Sequence, residues 1–358
     1  MLTDSRRQKY TLWERSYNCQ GGGGTMARLT LEDVGALAGV SRSTVSRVIN
    51  NESSVRPEVR ARVEAVISQT GYAPNAAARS LASNRTGVIG LVIPSHVSNL
   101  FEDPYFARLI QGVTLGAKQI SSTLTLFLFE SEEEEREVSP RVVESGFLDG
   151  VIVTATRPGN SLMRKIATTD LPLVAIGRPG IDGVPYVDVD NRAGAFQAAS
   201  FLRENGYERC GYIGGPLNTS TGEDRLAGFI DGLAEFDSAL PNDLRAFGDF
   251  SETSGYDAMS ELLDHSPDAV FAASDGMALG AIRRIHDAGL SVPDDIAVVG
   301  FDGFTVGETS EPSLTTLEQP VSATGSLAVE MLHEILGGRS TPISPSVLPV
   351  ELIRRASA

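Results

Sequence analysis

The chain has few of the residues that form disulfides, bind metals or cross membranes. Its two cysteines, Cys19 and Cys210, provide no disulfide framework, which is typical of proteins from a reducing compartment. The four histidines lack the spacing of metal ligands, and neither a G-x-S-x-G motif nor a phosphate-binding P-loop occurs. No apolar run approaches the ~18 residues that would span a bilayer, and the N-terminus has no apolar signal-peptide core. These absences predict a non-enzymatic cytoplasmic protein without a metal or a cofactor.

The net charge of −16 would argue against a nucleic-acid partner if it were spread evenly. Residues 26–85, however, contain eight arginines and five acidic residues, a net charge of +3, and residues 1–25 add +2. The rest of the chain therefore carries −21. A basic head on an acidic body predicts one DNA-binding module and a body that does not bind phosphate backbones. The run ESEEEER (130–136) is interpreted as a solvated surface, not as a metal site.

Residues 1–25 match neither the helical nor the strand pattern that follows, and four consecutive glycines precede Thr25 and Met26. Two interpretations stay open. The segment is a disordered tail, or translation starts at Met26 and the segment is not translated. Trp13 is the only tryptophan in the sequence, so a protein that starts at Met26 would contain none.

The stretch LTLEDVGALAGVSRSTVSRVIN (29–50) has the pattern of two short helices joined by a tight turn. Thr30 and Asp33 have the spacing of a capping box, and Ser41 is a good N-cap for the second helix. The outer face of this second helix would carry polar and basic side chains: Arg42, Ser43, Ser46 and Arg47. The pattern predicts a helix-turn-helix whose second helix enters a DNA major groove.

A third helix and a candidate hinge complete the N-terminal part. Pro57 suits the first position of the third helix, and Gly71 suits its end. The Ala-rich stretch 76–82 can form a helix but is too short to be stable alone in water. It is either a plain linker or a hinge helix that folds when DNA orders it. We therefore predict an all-α DNA-binding domain over residues 26–71 and a hinge helix with linker over 72–86.

From residue 87 onward, short apolar runs alternate with amphipathic segments. Seven runs have the length of buried strands: 87–94, 123–129, 150–155, 171–177, 210–215, 269–274 and 296–302. The predicted helices between them include 106–120, 194–205 and 277–288. This alternation predicts an α/β body with parallel sheets, long enough for two lobes. Ligands bind beyond the carboxyl ends of such strands, which points to the loops after Ser274 and Asp302.

Sequence motifs spread over residues 29–355 resemble, in residue pattern and in order, those of the lactose-repressor/galactose-repressor family of bacterial transcription regulators. In the head, VSRSTVSRVIN (40–50) and GYAPNAAARSLAS (71–83) match the helix-turn-helix and hinge signatures. The body motifs are VDVDN (187–191), DRLAGF (224–229), ASDGMALGA (273–281), VPDDIAVVGFD (292–302) and PSLTTLEQP (312–320). The segment 94–106 is longer than its family counterpart. The resemblance implies a helix-turn-helix head on a two-lobed body of the type I periplasmic-binding-protein fold.

The resemblance also implies DNA contacts in the head and the hinge. Arg42 and Ser43 occupy positions that read base edges, with Arg47 near them, and an arginine–guanine contact gives about 1–3 kcal/mol of discrimination. Leu81 matches the hinge leucine that wedges into the central minor-groove step. The alternatives are a phosphate contact for Arg42 and core packing for Leu81. The other implied contacts position the protein on DNA: Ser41, Thr44, Asn50, Tyr72, Asn75 and Ala78.

A hinge helix needs a counterpart across a dyad, so the resemblance implies a homodimer on a pseudo-palindromic operator with a central CG step. In the body, Arg225 and Asp275 match positions that bind ligand hydroxyls, Phe250 matches a ring that stacks on the ligand, and Asp302 adds a contact. The alternatives are a helix cap for Asp275, a surface ion pair with Asp224 or Glu223 for Arg225, and core packing for Phe250. Lobe 1 would span about 87–188 and 317–340, and lobe 2 about 189–316 and 341–358.

The predicted function is a sequence-specific transcriptional repressor controlled by a small effector, in the bacterial cytoplasm and associated with the nucleoid. A sugar or sugar derivative acting as an inducer is favoured, because an arginine, a carboxylate and an aromatic ring suit sugar hydroxyls and a sugar's apolar face. A purine-like or phosphorylated corepressor that tightens DNA binding is the alternative. A solute-binding protein of the same fold is disfavoured, because it would need a signal peptide and no DNA-reading head.

Overall fold

In the computed structural model, the residues described are 29–49, 52–72, 85–93, 103–129, 131–144, 146–154, 161–338 and 343–358. The chain divides into two compact units, Met1–Thr86 and Gly87–Ala358. The described helices of the first unit, the head, are α1 (Leu31–Ala38), α2 (Arg42–Ile49) and α3 (Pro57–Thr70). Within the described ranges, no helix has both the length and the apolar character needed to cross a membrane.

Local hydrogen bonds set the ends of the head helices as predicted. Thr30 Oγ1 accepts the Asp33 N–H at 3.3 Å, and the Thr30 N–H donates to Asp33 Oδ2 at 2.8 Å, which completes the capping box. Gly39 (φ 66°) makes the left-handed turn after α1, and Ser41 Oγ accepts the Thr44 N–H at 3.2 Å at the start of α2. The three helices share a small core whose fully buried members are Val34, Val45 and Val63. The helix-turn-helix prediction is confirmed.

The second unit, the body, is built of alternating strands and helices. Its strands are β1 (Val88–Ile93), β2 (Thr123–Leu128), β3 (Gly150–Thr154), β4 (Leu173–Ile176), β5 (Tyr186–Val189), β6 (Cys210–Gly214), β7 (Arg245–Phe247), β8 (Ala269–Ala272), β9 (Ala297–Asp302), β10 (Thr315–Glu318), β11 (Ser346–Leu348) and β12 (Glu351–Ile353). Its helices are α4 (Pro104–Gln119), α5 (Glu132–Val143), α6 (Ser161–Ala167), α7 (Asn191–Glu204), α8 (Ser220–Ala234), α9 (Glu252–Leu263), α10 (Asp275–Asp287), α11 (Thr305–Thr309) and α12 (Val321–Leu336). Each predicted strand run contains a strand, whereas β5, β7 and β10 to β12 were not predicted.

The strands form two six-stranded sheets, which define two lobes. The first sheet has the order β11-β5-β4-β3-β1-β2, and its neighbouring strands are parallel. The second has the order β12-β10-β9-β8-β6-β7 and is parallel except for the antiparallel β10–β12 pair. Among the described strands, the chain passes between the sheets after β5, after β10 and after β11.

The prediction placed the return to lobe 1 at 317 and assigned 341–358 to lobe 2. Both boundaries differ from the sheets, because all of β10 pairs with β9 and β11 covers the edge of β5.

Both faces of each sheet are covered by helices, as the apolar strands require. In β1, Ile89 and Leu91 belong to one core cluster of the first lobe, whereas Val92 belongs to the cluster on the opposite face. The second lobe has one large cluster that includes the stacked rings of Tyr212 and Phe229, whose centroids are 5.5 Å apart. Each lobe therefore has its own core, and the body does not depend on one shared interior.

Glycines allow three pairs of helices to pack closely. A Cβ on Gly112 of α4 would lie 2.0 Å from the carbonyl oxygen of Ser322 in α12. A Cβ on Gly228 of α8 would lie 2.1 Å from the carbonyl oxygen of Arg192 in α7, and Gly280 has the same role between α10 and α9. These distances are too short for any side chain, so the backbone approach requires glycine.

The acidic run 130–136 is not uniformly a solvated surface. Glu135 on α5 is buried, with 6% exposed. Its Oε1 accepts the Ser161 hydroxyl at 2.6 Å and the Leu162 N–H at 3.1 Å. Glu135 therefore caps the start of α6, and the predicted interpretation is wrong for this glutamate, because a buried helix N-terminus needs an acceptor.

The substitution Gly112→Ala tests the close packing of α4 on α12. We expect it to lower the free energy of unfolding by about 1–3 kcal/mol, because the added methyl group overlaps a backbone carbonyl. Urea unfolding of the full chain, followed by circular dichroism, measures this change. Gly337→Ala is the matched control, since Gly337 has an α-helical φ of −68° and its nearest contact would be 3.3 Å away. Equal losses from both substitutions would contradict the packing argument.

Candidate effector cleft and DNA-reading helix

Polar side chains of both lobes meet at the carboxyl ends of the parallel strands. From the second lobe come Asp302, the last residue of β9, and Arg225, on the helix that follows β6. From the first lobe come Asp103 and Tyr105 at the start of α4, and Asp188 near the end of β5. We call these five residues the cleft cluster. It lies where ligands bind in open parallel sheets.

Arg225 is buried within the cleft cluster, with 4% exposed. Its Nε donates to Asn191 Oδ1 at 2.8 Å, and its Nη1 donates to the Ala273 carbonyl at 2.5 Å. Nη1 also lies 3.7 Å from Asp302 Oδ1, and the guanidinium carbon lies 3.5 Å from the centre of the Phe301 ring. These partners compensate for the loss of water around the charge. The predicted alternative of a surface ion pair is wrong for this arginine.

Asp302 has a strained backbone, with φ 127°. Its Oδ1 accepts a hydrogen bond from Gln319 Nε2 at 2.5 Å. Burial raises the pKa of Asp302 well above its ordinary value; Arg225 lowers this pKa, and the carboxyls of Asp275 and Asp103 raise it again. A ligand that donates hydrogen bonds to Asp302 would favour its ionised form.

The other two carboxyls of the cleft cluster are also held by hydrogen bonds. Asp103 accepts the Tyr105 N–H at 2.9 Å, and Asp188 accepts the Val189 N–H at 2.8 Å. Burial is the main cause that raises the pKa of Asp103 and that of Asp188, whereas Arg225 lowers both. Burial likewise raises the pKa of the Tyr105 phenol, and the nearby carboxylates raise it further. The five groups are therefore electrostatically coupled.

Asp275 differs from the other predicted effector contacts, because it is fully buried, with 0% exposed. Its Oδ1 accepts the Thr316 hydroxyl at 2.5 Å, and its Oδ2 accepts the Phe304 N–H at 2.7 Å. Burial raises the pKa of Asp275 to about 6, and these two hydrogen bonds oppose the rise. The N-cap of α10 is instead Ser274, whose Oγ accepts the Met277 N–H at 3.1 Å, so the helix-cap alternative for Asp275 is wrong.

Phe250 lies on the loop that follows β7 and is half-buried against the core of the second lobe. Its backbone is left-handed, with φ 75°, and its carbonyl accepts the Ser274 hydroxyl at 3.1 Å. A Cβ on Gly215 would lie 2.2 Å from its ring, so the glycine makes room for it. The ring thus packs just beyond the carboxyl end of β6, against the core of the second lobe. Its stacking on a ligand stays a prediction.

In the head, the two arginines on the outer face of α2 are exposed. Arg42 Nη1 lies 3.1 Å from Glu32 Oε1, and Arg47 Nε lies 3.7 Å from Glu52 Oε2. The arginine side chains are 67% and 60% exposed. Exposed ion pairs of this kind are weak, so both guanidinium groups are available to exchange their partners for phosphates or base edges.

Hydroxyl groups surround the start of α2. Ser41 Oγ lies 2.8 Å from Ser43 Oγ and 2.9 Å from Thr44 Oγ1. Tyr72, also predicted to contact DNA, packs into the core of the head with 9% exposed. The remaining predicted DNA contacts lie outside the described residues: Asn50, Asn75, Ala78 and Leu81.

Comparison with known proteins gives this arrangement a family. Residues 30–75 match the model of bacterial regulatory proteins of the lacI family, and residues 199–358 match that of a periplasmic binding protein-like domain. The chain is 38% identical to the HTH-type transcriptional regulator CelR of Thermobifida fusca, over 92% of this chain and 98% of CelR. It is 34% identical to the ribose operon repressor of Escherichia coli (strain K12), over 86% and 93% of the two chains. It is also 35% identical to the HTH-type transcriptional repressor PurR of Klebsiella pneumoniae (strain 342), over 92% and 97%. The chain belongs to the lacI family.

Solved structures agree with this assignment. The complex of CelR with cellobiose has a TM-score of 0.74 at 36% identity, and the match covers 92% of this chain and 100% of CelR. The lac repressor dimer bound to operator and the anti-inducer ONPF has a TM-score of 0.81 at 27% identity, over 92% and 99% of the two chains. The predicted fold class and the predicted family are therefore confirmed, and this lacI-family member is a DNA-binding regulatory protein.

Several cleft residues were not predicted, although the sequence carried a signal for most of them. Asp188 and Asn191 belong to the VDVDN motif, and Gln319 belongs to PSLTTLEQP. Asp103 precedes Pro104, the arrangement of an N-cap followed by a first-turn proline.

Within the described part of the chain, no group of three or more His, Cys, Asp or Glu side chains could hold a metal ion.

Proposed function

We propose that this regulator is a non-enzymatic operator-binding repressor whose inducer is a neutral, polyhydroxylated molecule, a sugar or a sugar derivative. The observation that carries the proposal is one buried arginine, Arg225, among three carboxyl groups with raised pKa values, those of Asp103, Asp188 and Asp302. Carboxylates only accept hydrogen bonds and arginine only donates them. A sugar hydroxyl does both, so a polyol can satisfy the whole cluster at once.

The same charges disfavour a phosphorylated effector. Arg225 is the single cation of the cleft cluster and faces the carboxyl groups of Asp103, Asp188 and Asp302, so its positive charge is already offset before a phosphate arrives. The carboxylates would in addition repel the phosphate at short range. A purine-like corepressor is the second candidate, since a purine ring could stack on Phe250. It offers the carboxylates fewer donors than a sugar does.

Two of the relatives support a sugar, whereas PurR does not. The CelR structure is a cellobiose complex, and the relative from Escherichia coli is the repressor of a ribose operon. The lac repressor was solved as a dimer on operator DNA. This supports a homodimer on operator DNA. We expect this operator to be pseudo-palindromic with a central CG step, and the protein to act in the cytoplasm at the nucleoid.

At the DNA, we assign base reading to the exposed face of α2. Arg42 and Ser43 would contact base edges, with Arg47 beside them. The cluster of hydroxyl groups around Ser41 and Thr44 would bind phosphate and set the register. Asn50, Tyr72, Asn75, Ala78 and Leu81 keep the roles that the family resemblance implies for them, with Leu81 as the minor-groove wedge.

Asp275 would act indirectly, by positioning the turn that joins the effector site to the first lobe. It accepts the N–H of Phe304. Phe304 follows β9 of the second lobe, yet its side chain belongs to the core cluster of the first. Asp302, which faces the effector, lies two residues before it. Effector contacts at Asp302 would therefore act directly on a segment shared by the two lobes.

Operator release tests the class of effector. A labelled duplex, selected by the protein from a random library, is followed by fluorescence anisotropy at fixed salt, because phosphate contacts make the affinity salt-dependent. Cellobiose, ribose, glucose 6-phosphate and adenine are added separately. We expect a neutral sugar to raise the operator Kd at least ~10-fold, which corresponds to about 1.4 kcal/mol. Arg225→Gln should keep operator binding and lose the response. Release by the phosphate ester alone, or tighter binding with adenine, would refute the sugar assignment.

Sugar binding should tighten as the pH rises through the raised pKa values of the three cleft carboxyls, which lie above the ordinary aspartate pKa of about 3.9. Burial raises the pKa values of Asp103, Asp188 and Asp302, so these groups hold protons to a higher pH in the empty cleft. Hydroxyl donors favour the ionised carboxylates, so binding releases protons, and affinity is lost as the pH falls through the raised pKa values. Calorimetry in two buffers of different ionisation enthalpy measures the released protons. An affinity independent of pH would show that the ligand does not donate to these groups.

Arg42→Ala tests direct base reading by α2. We expect a loss of about 1–3 kcal/mol in operator binding, together with relaxed specificity at one base pair. Anisotropy on the operator and on single-base variants of it measures both effects. Glu32→Gln is the matched control, because it removes the ion-pair partner of Arg42 but keeps the arginine. A uniform loss on all duplexes would indicate a phosphate contact instead.

A further inference from the structure

One ion pair of the body joins the two lobes beside the cleft cluster. Arg178 lies just after β4 of the first lobe, and Asp224 lies on α8 of the second. Nη2 of Arg178 is 2.6 Å from Oδ1 and 2.7 Å from Oδ2 of Asp224. The side chains are 46% and 27% exposed, so the pair lies at the rim of the cleft and not in its interior.

Both partners are linked to the buried arginine, Arg225, one through the chain and the other through hydrogen bonds. Asp224 immediately precedes Arg225 on α8. The Arg178 N–H donates to Asp188 Oδ2 at 3.1 Å, Asp188 Oδ1 accepts from Asn191 Nδ2 at 3.2 Å, and Asn191 Oδ1 accepts from Arg225 Nε at 2.8 Å. Arg178 of the first lobe is therefore linked to Arg225 in two ways: through its ion pair with Asp224, and through this chain of hydrogen bonds. Movement of one lobe against the other would disturb both.

A comparable ion pair on the same helix lies within one lobe. Arg192 on α7 binds Asp231 on α8, with its Nε and Nη2 at 2.8 and 2.6 Å from Oδ2. Its side chains are also part-exposed, at 60% and 45%. Both pairs join an arginine to an aspartate of α8, and both are part-exposed, the Arg192–Asp231 pair more so. They differ in that only the Arg178–Asp224 pair depends on the distance between the lobes.

We propose that the Arg178–Asp224 ion pair is a clasp that holds the two lobes closed over the effector, with Arg178 as a positioning residue that does not touch the effector. The pair is geometrically possible only when the lobes are close. An interaction present in one of two states shifts the equilibrium between them, even when its contribution to stability is small. An effector bound by Arg225 and Asp302 is then retained longer. This inference rests on the proposed effector function of the cleft.

Calorimetric titration of the full chain with cellobiose tests the clasp. If cellobiose fails to bind, the sugar that releases operator is used in its place. Arg178→Ala and Asp224→Ala should each weaken sugar binding about three- to fivefold, the range of a part-exposed ion pair. The double variant should be no weaker than either single one, and Arg178→Lys should recover most of the affinity. Arg192→Ala and Asp231→Ala, the matched controls, should leave the affinity unchanged.

Other outcomes would overturn the clasp. A much larger loss for Arg178→Ala than for Asp224→Ala, with additive losses in the double variant, would mean that Arg178 contacts the sugar itself. Unchanged affinity in both single variants would mean that the pair has no part in effector binding. Equal losses of sugar affinity in Arg192→Ala and Asp231→Ala would mean that removing any ion pair from α8 weakens sugar binding.

A measurement without effector separates failure of the clasp from failure of the proposed function. Spin labels at Asp170→Cys in the first lobe and Glu261→Cys in the second, both exposed positions, report the distance between the lobes once Cys19 is replaced by serine. Asp224→Ala should broaden the distance distribution towards longer distances, and Asp231→Ala should not. If the wild type binds no sugar but Asp224→Ala still opens the lobes, the clasp stands and the effector class is wrong. An unchanged distribution in Asp224→Ala would refute the clasp.

Discussion

The burial of Arg225 constrains the rest of the cleft. A guanidinium ion without water requires partners for its charge and for its donors, or the fold loses several kilocalories per mole. The Phe301 ring, the Asp302 carboxylate, the Asn191 side chain and the Ala273 carbonyl provide them. Each of these groups lies at the carboxyl edge of the second sheet or at the crossover that follows β5. The residues that keep the charge buried are therefore also the residues that hold it at the sheet edge where ligands bind in open parallel sheets.

Two of the crossovers between lobes are tied into this arrangement by side-chain amides. Asn191, the first residue after β5 and Asp190, joins Asp188 to Arg225. Gln319, just after β10, donates to Asp302. A ligand that changes the partners of Arg225 or Asp302 thus acts on the segments about which the lobes must turn. Coupling of this kind needs no long pathway, because the proposed binding groups and the segments that cross between the lobes are neighbours in sequence and in space.

Local chemistry made much of the molecule predictable. The capping box of Thr30 and Asp33 and the strand runs around β1, β3 and β9 follow from short-range rules, and the structure has them. The strands β5, β7, β10, β11 and β12 were missed, because each mixes polar with apolar residues and lacks the continuous apolar run that marked β4 and β8. Their pairing also depends on distant segments. The cap that Glu135 makes for α6 was missed for the same reason: its partners lie 26 and 27 residues away. The burial of Asp275 was equally hidden, since Thr316 and the Phe304 N–H reach it only through the folded sheet.

The separation of the two cores explains why a ligand can control the position of the lobes. Apart from Phe304, the clusters of the first lobe draw their buried residues from its own elements. Most of the hydrophobic stabilisation is therefore independent of whether the lobes are open or closed. The equilibrium between the open and closed states then depends on a few polar contacts between the lobes and on the turn that carries Phe304. Weak contacts leave both states accessible. An effector needs about 5.5 kcal/mol of differential affinity to move such a balance from 1:99 to 99:1, and several hydrogen bonds to buried charged groups, at about 1.5–3 kcal/mol each, are sufficient for that.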